Sequence, residues 1–140
     1  KALAAAQAEL AVAKASALAA KAEPVGEFQL LVERLDGVDG AGLQGAAQSL
    51  ADQLGDGAAV VLGGLPDPSD LGKVILVAAF GKQVIAAQLQ AGKFIGGIAK
   101  LCGGGGGGRP NLAQAGGRDG SALTDALAKA RSELEAGLQS

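Results

Sequence analysis

The chain has 140 residues, 49% of them apolar, a net charge of −2, one Cys, and no His, Trp, Tyr or Met. That length suits one domain with room for an appended helix. Lack of His and a single Cys exclude Cys/His zinc sites, Cys-His and Ser-His catalysis and any disulfide within the chain, and three Phe as the only aromatics argue against a base-stacking platform.

Lys1 to Ala22 reads as a helix, since 12 of its 22 residues are alanine. Leu3, Leu10 and Ala17 recur at seven-residue spacing, and Ala6, Ala13 and Ala20 form a second row. Together they give one narrow coiled-coil-like seam. At 1.5 Å per residue the helix would run about 33 Å. Alone it would be marginal, so residues 1–22 are expected to pack on a second copy, as a homodimer, or on chain further upstream. Pro24 ends it, because the residue before proline leaves helical geometry. The expected division is a helical segment 1–23 and a globular domain 25–140.

Phe28 to Asp36 reads as a strand and Gly37 to Gly42 as a turn. Leu43 to Leu54 is an amphipathic helix with Leu43, Ala47, Leu50, Ala51 and Leu54 on one face. Ala58 to Leu65 and Lys73 to Phe80 are short Val/Ile/Leu-rich runs, expected as neighbouring buried strands. The Pro66-to-Asp70 segment between them is a polar turn, in which Asp67 and Asp70 are structural. Val84 to Ala87 fits strand or helix. From Leu89 a helix is expected, with Ile95, Ile98 and Leu101 on one face and Phe94 in the core. Gly92, Gly96 and Gly97 weaken it, which implies a backbone or ligand packed close by. Cys102 is expected to be buried as a small apolar residue.

Six glycines, Gly103 to Gly108, then precede Arg109-Pro110-Asn111, and a second pair, Gly116-Gly117, follows. Glycine costs roughly 0.5–1 kcal/mol of backbone entropy per residue relative to alanine. The run reads as a loop that lets its backbone approach a partner, or as an anion-binding nest. Asp119 to Ser121 caps a final helix with Leu123, Leu127, Ala130, Leu134 and Leu138 as its buried stripe. The fold class is α/β: a mixed β-sheet flanked by helices, preceded by the alanine-rich helix.

Charge is distributed unevenly. Residues 71–118 hold no Asp or Glu and six bases, giving +6 against −8 for the rest. The bases are Lys73, Lys82, Lys93, Lys100, Arg109 and Arg118. A local basic region converging on a glycine loop fits one anionic partner at one place. No catalytic constellation is present. Asp36/Asp39 and Glu133/Glu135 are ordinary turn and surface acids. The glycine run does not continue into Gly-Lys-Ser/Thr, so it is no P-loop, and it follows a helical pattern rather than the strand of a dinucleotide fingerprint.

Leu101 to Gly117, with the upstream AGKFIGGIAK (Ala91 to Lys100), resembles the C-terminal, DHHA1-type (C-Ala) domain of bacterial-type alanyl-tRNA synthetases. The resemblance covers about residues 25–140. Asn111 stands where the family usually has Asp, Leu112 where it often has Met, and the glycine run is uninterrupted. The resemblance implies a non-catalytic domain that binds the outer corner of tRNA(Ala) and serves the aminoacylation and editing domains upstream in the same chain. It implies no cofactor in this chain; ATP, Mg and Zn belong to the full-length enzyme. By matching position, Gly103, Gly104, Gly105, Gly106, Gly107 and Gly108, Arg109, Lys93 and Lys100 are the expected tRNA contacts. Lys73, Lys82 and Arg118 are added on charge alone.

Two other readings stay open: the substrate-binding domain of a DHH-family phosphoesterase, whose glycine loop would hold a substrate phosphate, and a dimerisation module. The lone thiol and lack of a signal peptide suit the cytoplasm, and no apolar run reaches the ~18 residues of a membrane span. A start at Lys1 with no Met reads as a piece of a longer protein.

Overall fold

Asp39 starts the helix that joins the parallel part of the sheet. Its carboxylate accepts from Gly42 N–H at 2.8 Å, a capping bond worth about 1 kcal/mol. The helix, α1 (Gly40–Leu54), therefore begins three residues earlier than its apolar stripe alone predicts. It ends at Gly55, whose φ of 90° is left-handed. The computed structural model describes residues 19–67 and 69–139. The predicted Lys1–Ala22 helix lies outside the described residues over 1–18, and Ala19–Lys21 form a single 3-10 turn.

Six strands make one sheet in the order β1-β2-β3-β4-β6-β5. They are β1 (Glu23–Val25), β2 (Phe28–Arg34), β3 (Ala58–Gly64), β4 (Val74–Phe80), β5 (Gly105–Gly108) and β6 (Leu112–Gly117). Among the described residues only β2 and β3 pair in parallel, and α1 is the crossover between them. The expected neighbours pair antiparallel, Val61 opposite Ala78 and Leu62 opposite Val77. Pro24 sits on the edge strand β1, where a missing N–H is tolerated.

α1 covers one face, burying Leu43, Ala47 and Leu50 against Leu31, Val60, Leu62 and Val77. The other face is covered by α3 (Ala91–Ala99) and α4 (Leu123–Gln139), which bury Ile95, Ile98, Leu127 and Leu134 over Leu30, Val61, Leu76 and Ala78. Each fully buried Leu or Ile contributes about 1.5–3 kcal/mol. Strands β3 and β4 are covered on both faces, which is why they read as unbroken apolar runs. The predicted stripe of α4 is buried throughout. Asp119 caps as expected, accepting from Ser121 N–H at 3.0 Å, but through a 3-10 turn that leads into α4. Val84 falls in a short helix, α2 (Lys82–Ala86).

Two expectations are overturned. Leu101, expected on the helix face with Ile95 and Ile98, instead lies in a 3-10 turn (Lys100–Cys102) after α3 and is 40% exposed. The segment from Gly103 to Gly117 is a β-hairpin rather than a loop: β5 consists of glycine alone and pairs antiparallel with β6 from Gly105–Gly116 to Gly108–Ala113. Pairing with β6 satisfies backbone groups that no side-chain pattern could have announced.

Candidate nucleic-acid interface

α3 lies along β5 and is tied to it at both ends. Ala91 N–H donates to Pro110 O at 2.9 Å, and Gly104 N–H donates to Ala99 O at 3.0 Å. Between these ties the two backbones meet without side chains. A Cβ on Gly92 would fall 2.7 Å from Gly108 O, and one on Gly96 would fall 2.9 Å from Gly106 O. The expected close backbone under the helix is thus the glycine strand itself. Phe94 is half-buried and packs on the core, its ring 5.7 Å from that of Phe80.

Gly97 differs from its two neighbours in the helix. It is exposed, and a Cβ there would meet nothing within 4 Å. It lines a groove of about 590 Å³ between α3 and β5, with Gln90, Lys93, Lys100 and the backbone of Gly105 to Gly108. No Asp or Glu lines this groove. Among the described residues the ion pairs are Arg34–Asp36, Arg131–Glu23 and Arg131–Glu135, so Lys93, Lys100 and Arg109 are not neutralised by a paired carboxylate. Two free ammonium groups above a Cβ-less strand can hold phosphate oxygens, with backbone close enough to touch a sugar.

Arg109 stands at the hairpin turn, its N–H donating to Leu112 O at 3.1 Å. It lines a second hollow of about 400 Å³ on the other side of the glycine strand, with Gln44, Gly107, Leu112 and Gln114. Gln44 Nε2 donates to Gln114 Oε1 at 2.5 Å, linking α1 to β6. The structure therefore brings together Lys93, Lys100 and the glycines, with Arg109 across the strand from them. None of the residues chosen on charge alone lines either hollow, although Arg118 follows Gly117 at the Lys100 end of the glycine strand, its N–H donating to Cys102 O. Lys82 lines a separate hollow of about 270 Å³ beside Asp52 and Asp56. Lys73 and Arg118 flank the Val74–Gly117 end of the β4–β6 pair, away from the Arg109 turn. Gln44, Gln90 and Gln114, which line these hollows, were not legible in the sequence, because nothing in it pairs LAQAGG with the glycine run.

Cys102 is buried, as expected, and its carbonyl accepts from Arg118 N–H at 2.7 Å and Asp119 N–H at 2.9 Å. Burial, and secondarily the Asp119 charge, pushes its thiol pKa up. Among the described residues no group of three or more His, Cys, Asp or Glu could hold a metal, and no helix is long and apolar enough to cross a membrane.

The architecture is that of an α/β domain built on a mixed six-stranded sheet with a glycine hairpin at one edge. The chain belongs to the DHHA1 domain family, which matches residues 27–136. It is 91% identical over 138 residues to the alanine–tRNA ligase of Parasynechococcus marenigrum (strain WH8102), covering 99% of this chain and 16% of that protein. It is 84% identical over 139 residues to the alanine–tRNA ligase of Synechococcus sp. (strain CC9902), again over 16% of that protein's length. The C-Ala domain of Aquifex aeolicus alanyl-tRNA synthetase superimposes with a TM-score of 0.67 at 27% identity, covering 85% of this chain and 98% of that one. The chain thus spans about 16% of the ligases it matches and nearly all of a C-Ala domain.

Proposed function

We propose that this chain is the tRNA-binding C-terminal domain of an alanine–tRNA ligase. It holds the outer corner of tRNA(Ala) and presents the tRNA to aminoacylation and editing domains of the same enzyme. The observation that carries this reading is the acid-free groove, in which Lys93 and Lys100 stand over a strand with no side chains. Lysines neutralise phosphates, a bare backbone admits the bulk of a sugar, and both select shape rather than sequence. The identity to alanine–tRNA ligases supports tRNA(Ala) as the partner.

The test is a salt titration of this chain binding folded tRNA(Ala) and an unstructured RNA of equal length. Folded tRNA should bind more tightly, with a log–log salt slope of roughly −3 to −5 for four to six phosphate contacts. Equal binding of the two RNAs, or none, would overturn the reading.

A further inference from the structure

We propose, resting on the RNA-binding reading, that the glycine edge of the sheet enters a gap between two phosphate tracts of one RNA. The lysine groove holds the first tract and the Arg109 hollow holds the second.

The first observation is the wall that the two hollows share. β5 is the last strand of the sheet, and among the described residues nothing pairs with its outer edge. Gly107 and Gly108 line the groove beside α3, and they also line the hollow beside Gln44 of α1. These two helices cover opposite faces of the sheet. One exposed backbone without side chains therefore separates the two hollows. Stacked sheets stand about 10 Å apart because side chains fill the space between them. A bare strand lets groups on its two faces come closer than that.

The second observation is charge. Lys93 and Lys100 line the first hollow, Arg109 lines the second, and no Asp or Glu lines either. All three bases are exposed and stand outside the ion pairs of the described residues. This is not general to the domain, since the hollow at Lys82 has both Asp52 and Asp56 in its lining. Unbalanced positive charge on both faces of one edge fits a polyanion that passes along both. A single backbone tract confined to one face would meet either the lysines or the arginine. Folded RNA supplies the other geometry: two backbones across a gap too narrow for side chains, as in the deep groove of an A-form helix. Packing alone does not explain every glycine that such a gap would require. A Cβ on Gly106 or Gly108 would strike β6, at 2.6 Å from Ala115 Cα and 2.9 Å from Ala113 Cα, but one on Gly107 would meet only Gly92 O at 3.9 Å.

The experiment is hydroxyl-radical footprinting of folded tRNA(Ala) at saturating protein. It compares the wild-type chain with Lys93→Gln/Lys100→Gln, Arg109→Gln and Gly107→Leu. The wild type should protect two backbone tracts separated in the RNA sequence. The lysine variant should lose one tract and keep the other, and Arg109→Gln should do the reverse. Gly107→Leu should lose the lysine-side tract with no change of charge, its circular dichroism staying native. The two charge variants alter only exposed side chains, so they test the proposal even where Gly107→Leu fails to fold. A single continuous tract in the wild type, the same tract lost in both charge variants, or both tracts kept by a folded Gly107→Leu would overturn the two-tract site and leave the RNA reading standing. No protection by the wild type would overturn both.

Discussion

Gly96 on α3 and Gly106 on β5 touch backbone to backbone: a Cβ on Gly96 would sit 2.9 Å from the Gly106 carbonyl oxygen. Gly97, the next residue, has open space around it. Two adjacent glycines in one helix therefore serve different ends, the first packing the helix on the strand, the second leaving the groove open.

The pair gives a reciprocal prediction. Gly96→Ala should destabilise the domain by about 1–3 kcal/mol, as overpacking against rigid backbone does. Gly97→Ala should stabilise it by up to about 1 kcal/mol, the helix-propensity gain at an exposed interior position, and should weaken tRNA binding. Urea melts and binding isotherms of the two variants check both signs. A Gly97→Ala variant that binds normally would mean that the ligand does not reach this part of the groove.

Lys93 and Lys100 are exposed, with no ion pair among the described residues. Replacing both with Gln should leave the melting temperature unchanged and reduce the magnitude of the salt slope by about 1.5–2. Measuring affinity at several salt concentrations separates this from a general loss of binding.

Arg109 sits on the other side of the glycine strand from those lysines. Arg109→Ala should weaken tRNA binding by about 1–3 kcal/mol, the worth of a charge-assisted contact. Arg109→Lys should recover only part of it, since the point charge of lysine lacks the guanidinium fork. Full recovery would show that charge alone matters at the turn.

Cys102 is buried and its thiol pKa is raised by that burial. The native protein should therefore react with a thiol reagent at pH 8 far more slowly than the urea-unfolded chain. The sign for stability follows from linkage: the contribution of the protonated thiol is complete below the ordinary thiol range and is lost as pH rises through it toward the raised native value. Melts of wild type and Cys102→Ala between pH 7 and pH 10 should show a steeper alkaline decline in the wild type.

Over the central strands, α1 and α4 the sequence already indicated the fold, whereas Leu101 left the face it was expected to share with Ile95 and Ile98. The runs at Ala58 and Lys73, the stripe of Leu43 to Leu54 and the stripe from Leu123 all lie where their periodicity put them. The glycine strand did not announce itself, because period-two alternation needs side chains to alternate. The site was legible in part for the same reason. Lys93 and Lys100 could be aligned by helical spacing, whereas Lys73, Lys82 and Arg118 were chosen by charge, which carries no direction. Gln44 and Gln114 are 70 positions apart, and only the β4–β6 pairing and the α1 crossover bring them together.

A strand made only of glycine has no inside or outside of its own. Sliding β5 along β6 by a residue would turn no apolar group to water, the penalty that fixes register in most sheets. Its alignment is instead imposed from its surroundings, by the Arg109–Leu112 turn at one end and by Gly92 and Gly96 seated on Gly108 and Gly106 along its length. One glycine more or fewer would have to be taken up at Gly103 and Gly104, at the cost of the bond from Gly104 N–H to Ala99 O. The run thus takes both its alignment and its length from its neighbours, between the Pro110 tie at one end and the Ala99 tie at the other.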